Sequence, residues 1–164
     1  MSVTGSVPVE RVVGRLLKSK GLTLAVAESC TGGLIGDRLT NVPGSSDYFV
    51  GGIVCYSNSV KKKLLRVREM TFERSGAVSE QTVTEMARGV ARLLGADVGI
   101  AVSGIAGPGG GSKVKPVGLV YICVKTATTL AVETHRFRGG RRAVKEQSAA
   151  AALELCRRVI EDEA

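Results

Sequence analysis

Residues 22–33 read LTLAVAESCTGG, and this stretch decides the fold. The apolar run from Leu22 to Ala27 predicts a short buried strand, and the residues that follow predict a turn into a helix over 34–41. Gly32 and Gly33 allow the backbone to turn tightly at that junction. Because a strand that passes through such a turn into a helix is the building unit of α/β proteins, the stretch indicates that class.

The rest of the chain continues this alternation of helices and strands. Apolar residues at helical spacing, or residues that favour a helix start, predict four further helices, over 8–19, 58–65, from Ser79 onward, and about 141–161. Runs rich in β-branched and apolar residues predict four further strands, over 48–56, 97–103, 117–125 and 130–137. We therefore predict a three-layer α/β/α fold in one domain over 1–164, with a mixed, mostly parallel sheet and a C-terminal hairpin.

The composition excludes several classes of protein. The longest clearly apolar stretch, 117–124, is far shorter than the roughly 20 residues that a membrane-spanning helix needs. The first residues have neither the basic nor the apolar region of a secretory signal, so we expect a cytoplasmic protein without a membrane partner. The four cysteines are far apart and form no CxxC pair, which favours buried, reduced thiols.

The single histidine, His135, limits the possible chemistry. A histidine-rich metal site cannot form within one chain, and a Ser-His-Asp site would depend on this one residue. The net charge of +8 is concentrated in segments 61–68 and 136–145. Such charges solvate a surface or bind a small phosphorylated ligand; without an RNP-type motif or zinc finger, we expect no nucleic-acid partner.

The first candidate site is the turn AESCTGG at 27–33. Ser29 stands where a nucleophilic hydroxyl would be presented, and backbone N–H groups near Thr31, Gly32 and Gly33 could bind an oxyanion. Ala27 and Thr31 replace the glycines of a G-x-S-x-G elbow, so that motif is absent. A glycine-tightened turn with a capping serine or threonine is the structural alternative.

The second candidate site is YSNSVK at 56–61, where Asn58 is predicted to cap a helix. Lys61 lies near the start of that helix beside two further lysines, and both effects favour the neutral amine that a general base requires. With one histidine in the chain, a serine–lysine pair is the most economical activated nucleophile. The alternative is a solvated basic face with a core tyrosine at Tyr56, and the pattern S-x-x-K occurs twice in this chain.

The third candidate site is the glycine-rich segment SGIAGPGGGS at 103–112, which follows a predicted strand. It matches neither the Walker A motif nor G-x-G-x-x-G. Ligands of open α/β sheets nevertheless bind at such strand ends, where glycines let the backbone approach them closely. A flexible turn is the alternative interpretation.

Seven segments together resemble the CinA C-terminal domain family, the nicotinamide mononucleotide deamidase module. They are AESCTGG (27–33), PGSSDYF (43–49), YSNSVK (56–61), GAVSEQT (76–82), SGIAGPGGG (103–111), KPVG (115–118) and RGGRRAVK (138–145). The resemblance covers about residues 8–160. Two-domain members carry an additional N-terminal domain whose sequence is not found here, so we expect the stand-alone form.

The resemblance implies an amidase that converts nicotinamide mononucleotide to nicotinate mononucleotide and ammonia without a metal or another cofactor. Ser29 matches the family's serine, Lys61 its lysine and Tyr56 its tyrosine. The residues expected to bind the nucleotide are Thr31, Gly32, Gly33, Asn58, Ser103, Gly104 and Gly107, with Arg141 and Lys145 on the phosphate.

One segment departs from the family pattern. Members of the family usually read G-D-R-x-x-V-R where this chain has GGRRAVK at 139–145. Gly140 replaces the acid, and Lys145 keeps the charge of the usual arginine without its bidentate geometry, although Arg142 could compensate. This departure favours the alternative function, a non-catalytic nucleotide-binding or regulatory module. The alanine-rich last helix and the basic patch leave room for self-association, and we expect a homo-oligomer.

Overall fold

The computed structural model describes residues 7–163. Its helices are α1 (Val9–Lys20), α2 (Leu34–Thr40), α3 (Asn58–Leu65), α4 (Glu69–Ser75), α5 (Glu80–Leu94) and α6 (Arg141–Asp162). Its strands are β1 (Leu24–Glu28), β2 (Phe49–Val54), β3 (Val98–Gly104), β4 (Leu119–Lys125) and β5 (Leu130–Arg136). A short 3-10 helix, Ser45–Asp47, precedes β2.

The strands form one five-stranded sheet in the order β2-β1-β3-β4-β5. Strand β1 pairs in parallel with both β2 and β3, whereas β4 is antiparallel to both β3 and β5. Four strands therefore run in one direction and only β4 runs in the other. The predicted α/β class, the mixed sheet and the C-terminal hairpin are confirmed.

Helices cover both faces of the sheet, because successive side chains of a strand point to opposite sides. In β1, Val26 belongs to the core cluster beneath α1, α2 and α6, whereas Ala25 and Ala27 belong to the cluster beneath α3 and α5. Small residues bring α5 close to the sheet: a Cβ on Gly99 would lie 2.4 Å from the carbonyl oxygen of Ala87. These three layers are the predicted architecture.

The connections place the end of β1 at a position suited to a site. The chain leaves β1 towards β2 on one side and later returns to β3 on the other side. In open α/β sheets the crevice beyond the carboxyl ends of the strands, where the strand order changes direction, is the usual ligand position. The turn that contains Ser29 begins there. The N–H of Ser29 donates to the carbonyl of Val102 in β3 at 3.1 Å.

Two local predictions differ from the structure. Helix α4 was not predicted, because its seven residues give too short a window for helical periodicity. Helix α3 has the predicted bounds, but Ser57 caps it instead of Asn58: the Ser57 backbone is extended, and its hydroxyl accepts from the N–H of Val60 at 3.3 Å. Asn58 is already inside the helix, where its side chain cannot cap the same turn.

No helix within residues 7–163 has both the length and the apolar character needed to cross a membrane.

We expect Gly89→Ala to lower the free energy of unfolding by about 1–3 kcal/mol. A Cβ at this position would lie 2.2 Å from the carbonyl oxygen of Leu65, the last residue of α3, so α3 would have to move away from α5. Alanine normally stabilises a helix relative to glycine, so a decrease isolates the steric effect. Urea denaturation measures it, with Gly109→Ala as the control because nothing lies within 4 Å of a Cβ there. Equal or greater stability of Gly89→Ala would contradict this account.

Candidate active site

The turn after β1 and the first turns of α3 bring Ser29 and Lys61 together. The Lys61 amine donates to the Ser29 hydroxyl oxygen at 3.0 Å and to the backbone carbonyl of Tyr56 at 3.2 Å. Both side chains are buried, and Lys61 is only 1% exposed. A hydroxyl and an amine from segments 32 residues apart therefore form one hydrogen-bonded pair.

Burial lowers the pKa of the Lys61 amine, because removal from water disfavours its charged form. The neighbouring thiols Cys55 and Cys30 act in the opposite direction and to a smaller extent. Burial raises the pKa of these thiols to about 11 and about 12, so their opposing effect on the lysine pKa is confined to alkaline pH, where the thiols ionise. No carboxylate among residues 7–163 forms a salt bridge with this amine.

Tyr56 contributes to the site through two different groups. Its backbone carbonyl holds Lys61, whereas its phenol oxygen accepts a hydrogen bond from Arg141 at 2.7 Å. The same guanidinium donates to the carbonyl of Gly107 at 2.7 Å. The phenol is therefore directed towards α6 and the glycine-rich segment, and the tyrosine side chain is 60% exposed.

Glu28, the last residue of β1, holds the turn through its carboxylate. Its buried carboxylate accepts from the N–H groups of Gly33 at 3.1 Å, Ile35 at 3.0 Å and Gly36 at 2.8 Å. A carboxylate is favoured at this position because the first N–H groups of a helix have no partners within the helix. The sequence interpretation missed this residue, although an acid at the end of a strand, five residues before the N-cap Gly33 of the next helix, is the signal that could have found it.

The N–H groups of Gly32 and Gly33 are not available to an oxyanion. Gly33 donates to Glu28, and Gly32 donates to the carbonyl of Ser29 at 3.2 Å. The prediction that these two groups form an oxyanion hole is therefore wrong. Within residues 7–163, no backbone carbonyl accepts from the N–H groups of Cys30 and Thr31, which directly follow Ser29.

An open cleft of about 640 Å³ lies between the turn and the start of α6. Its lining residues are Thr31, Gly32, Gly33, Leu34, Asp37, Arg141, Arg142, Lys145 and Glu146. Three of them are cations from the first two turns of α6, and the N-cap residue Gly140 supplies no side-chain acceptor. Lys145 reaches across to the turn, since a Cβ on Gly32 would lie 3.6 Å from its amine. Ser29 and Lys61 are not among the lining residues, but the turn that carries Ser29 contributes Thr31, Gly32 and Gly33 to them.

Two predicted nucleotide-binding residues of β3 make contacts within the protein. The Ser103 hydroxyl donates to the carbonyl of Ala77 at 2.8 Å, which fixes the segment before α5. Gly104 is needed for strand packing, because a Cβ would lie 2.6 Å from the Val120 side chain. Asn58 is exposed at the start of α3 and forms no side-chain hydrogen bond within residues 7–163.

His135 and the four cysteines lie in positions that bear on the possible chemistry of the site. His135 lies on β5, three strand spacings or about 14 Å from β1, and contacts Glu133 at 2.9 Å. It therefore cannot act as a base for Ser29. All four cysteines are buried with free thiols. In the part of the chain that the structure describes, no group of histidine, cysteine or acidic residues has the geometry of a metal site.

Known proteins of one family match nearly the whole chain. A family model described as the CinA C-terminal domain matches residues 6–160. A CinA-like protein of Chloroherpeton thalassium is 51% identical over 161 residues, which are 96% of this chain and 38% of that protein. A CinA-like protein of Thermotoga maritima is 48% identical over 152 residues, or 93% of this chain and 37% of that protein. The chain thus spans less than two fifths of the length of these curated relatives.

Solved structures resemble the chain over nearly all of its length. A competence/damage inducible protein CihA from Agrobacterium tumefaciens superposes with a TM-score of 0.89 at 37% identity, covering 99% of this chain and 100% of that one. A protein of the competence-damaged protein (CinA) superfamily from Klebsiella pneumoniae superposes with a TM-score of 0.91 at 34% identity, covering 94% and 97%.

Proposed function

Because the chain belongs to the CinA C-terminal domain family, we propose that it hydrolyses the carboxamide of nicotinamide mononucleotide, giving nicotinate mononucleotide and ammonia. The observation that carries the proposal is the contact of 3.0 Å between the Lys61 amine and the Ser29 hydroxyl. An amide is a poor electrophile, so its hydrolysis needs an activated nucleophile. A buried lysine with a lowered pKa is a base that can activate a serine.

In the first step, the neutral amine of Lys61 accepts the Ser29 proton while the serine oxygen bonds to the carboxamide carbon. The carbonyl π electrons move to oxygen and form a tetrahedral oxyanion. When the intermediate collapses, the bond from carbon to nitrogen breaks and Lys61 returns the proton to the departing ammonia. The product of this step is a nicotinoyl ester on Ser29.

In the second step, water takes the place of serine as nucleophile. Lys61 accepts a proton from the water molecule, whose oxygen bonds to the ester carbon, and the proton then passes to Ser29 as the acid is released. The Tyr56 carbonyl keeps the amine oriented throughout, at 3.2 Å. The Tyr56 phenol accepts from Arg141, so its own O–H is free to donate a hydrogen bond to the substrate without giving up the proton.

The phosphate of the substrate fits the start of α6. Arg141, Arg142 and Lys145 supply positive charge there, and the first N–H groups of a helix favour an anion. The second cation of the family pattern is the lysine at 145, which still reaches the turn that carries Ser29. We therefore propose that this end of the cleft binds the phosphate and that the carboxamide points to Ser29.

The deciding experiment is the release of ammonia from nicotinamide mononucleotide by the purified chain without added metal. We expect turnover together with stoichiometric nicotinate mononucleotide, detected by chromatography. A ligand-dependent rise in melting temperature without ammonia would instead support the non-catalytic nucleotide-binding module that the departure at 139–145 favours. Neither ammonia nor a thermal shift would remove both proposals.

We expect Arg141→Lys to raise KM for nicotinamide mononucleotide by about 10- to 100-fold, the effect of losing charge-assisted hydrogen bonds. The guanidinium contacts both the Tyr56 phenol and the Gly107 carbonyl, and a lysine amine cannot reproduce this geometry. Steady-state kinetics on the nucleotide and on nicotinamide riboside measure the effect. Because the riboside has no phosphate, its kcat/KM is expected to change less. An equal loss on both substrates would contradict phosphate binding by Arg141.

We also propose that the chain self-associates and that it is cytoplasmic. The alanine-rich helix α6 buries Ala149 and Ala152 against the sheet of its own chain, so an oligomer would use another surface. Light scattering after size-exclusion chromatography measures the oligomeric state.

A further inference from the structure

We propose that Glu28 is a positioning residue for an oxyanion site formed by the backbone N–H groups of Cys30 and Thr31 together with the Thr31 hydroxyl. This inference rests on the proposed function, because it assigns the groups that stabilise the intermediate formed on Ser29. It concerns residues of the turn that the reaction described above does not use.

Most backbone N–H groups of the turn have acceptors within the protein. The Glu28 carboxylate binds the N–H groups of Gly33, Ile35 and Gly36, and the Ser29 carbonyl binds the N–H of Gly32. The donors beyond Thr31 are thereby engaged within the protein. No backbone carbonyl within residues 7–163 accepts from the N–H groups of Cys30 and Thr31, and the Cys30 N–H approaches its own thiol. These two donors therefore remain for a ligand.

The two remaining donors directly follow the nucleophile in the chain. In serine hydrolases with a nucleophile between a strand and a helix, the N–H of the residue after the nucleophile is an oxyanion donor. Cys30 has this relation to Ser29, and the N–H of Ser29 itself is bonded to Val102. The turn is thus fixed to β3 before the nucleophile and to Glu28 after these two N–H groups.

The Thr31 side chain supplies a third possible donor. Thr31 is 1% exposed, and its hydroxyl oxygen is buried without a hydrogen-bond partner among the described residues. Thr31 also lines the cleft beside Ser29. A buried hydroxyl without a partner destabilises a fold, so its presence at the edge of the cleft points to a ligand that supplies the missing hydrogen bond.

The test measures how fast Ser29 reacts with diisopropyl fluorophosphate, followed by intact mass. The Ser29 oxygen bonds to phosphorus, fluoride leaves, and Lys61 takes the serine proton. The phosphoryl oxygen occupies the place of the oxyanion, so the rate reports on its donors whatever the natural substrate is. Thr31→Val keeps the shape of the side chain and removes the hydroxyl. We expect at least a 10-fold slower reaction with an unchanged or higher melting temperature, and near-normal labelling in Thr31→Ser.

Thr71→Val is the matched control, because its buried hydroxyl has a partner in Glu85 at 2.8 Å. We expect a lower melting temperature and an unchanged labelling rate. Glu28→Gln should slow labelling by about 10- to 100-fold, since an amide nitrogen cannot accept from the N–H of Gly36. Its matched control is Glu85→Gln, which removes a carboxylate that also accepts from a backbone N–H, at Arg68.

The outcomes separate this inference from the proposed function. Normal labelling of Thr31→Val, or a loss that follows a fall in melting temperature, would overturn the oxyanion site even if nicotinamide mononucleotide is hydrolysed. Wild-type labelling that is slowed in Thr31→Val, without ammonia from nicotinamide mononucleotide, would support the site and overturn the substrate. A wild-type chain that is not labelled at Ser29 would overturn the inference outright.

Discussion

Replacement of Ser29 by alanine is expected to lower the rate of ammonia release by about 10⁴-fold or more, because the variant has no oxygen to form the ester intermediate. The fold should remain intact, since the change removes one atom from a turn that the Glu28 carboxylate and the Val102 carbonyl hold by accepting its N–H groups. Rapid quenching followed by intact mass should detect a nicotinoyl adduct on the wild-type chain and none on the variant.

Ser148→Ala is the control for this prediction. Ser148 is also buried, but its hydroxyl donates to the Val144 carbonyl within α6 at 2.7 Å and has no contact with Lys61. This variant should retain the wild-type rate. Comparable turnover of Ser29→Ala and Ser148→Ala would show that Ser29 is not the nucleophile.

Replacement of Lys61 by methionine is expected to lower the rate by about 10²- to 10⁴-fold, the contribution of a general base. The side chains are similar in length, so the buried space remains filled. The loss should be greatest near neutral pH and smaller at alkaline pH, where hydroxide can remove the serine proton. The pH dependence of kcat/KM measures it, and an unaltered pH profile would rule out Lys61 as the base.

The same variant should gain stability relative to the wild type as the pH falls from 10.5 to 7.5. Because the pKa of Lys61 is lowered in the folded chain, the unfolded chain binds its proton first as the pH falls below about 10.5. The wild type therefore loses stability between this pH and the lowered pKa, whereas the methionine variant does not. Urea denaturation at pH 7.5 and pH 10.5 should show a gain that shrinks at the higher pH.

Lys63→Met is the control for both effects. It is the second residue after Lys61 in α3 and is exposed, so its charge is fully solvated. Neither activity nor the pH dependence of stability should change noticeably. A gain in Lys63→Met equal to that of Lys61→Met would indicate a general effect of removing positive charge from α3.

The fold could be predicted from sequence because its signals are local. Apolar runs located all five described strands, and signals for a helix start gave helix α3 its predicted bounds. The pairing of Ser29 with Lys61 was expected from the scarcity of histidine and from the resemblance, since nothing local joins residues 32 positions apart. The burial of Lys61 could not be predicted, because within a run of three lysines only the packing of α3 decides which one turns inward.

The hydrogen bonds of the site could not be predicted in the same way. The glycines at 32 and 33 suggested free N–H groups, yet Glu28 and the Ser29 carbonyl accept from them. Which donors are engaged depends on the three-dimensional path of the turn rather than on residue type. The Tyr56 phenol illustrates the same limit, since its partner Arg141 is 85 residues away.

The burial of all four thiols, with pKa values of the thiol groups raised to about 11 or 12, has a practical consequence. The thiolate is the nucleophile that attacks alkylating reagents, and it is scarce at neutral pH and shielded in this fold. Cys30, the neighbour of Ser29, is thus protected from such reagents while the chain stays folded. The rate at which iodoacetamide is incorporated therefore reports the rate at which the chain unfolds, and no attached dye is needed.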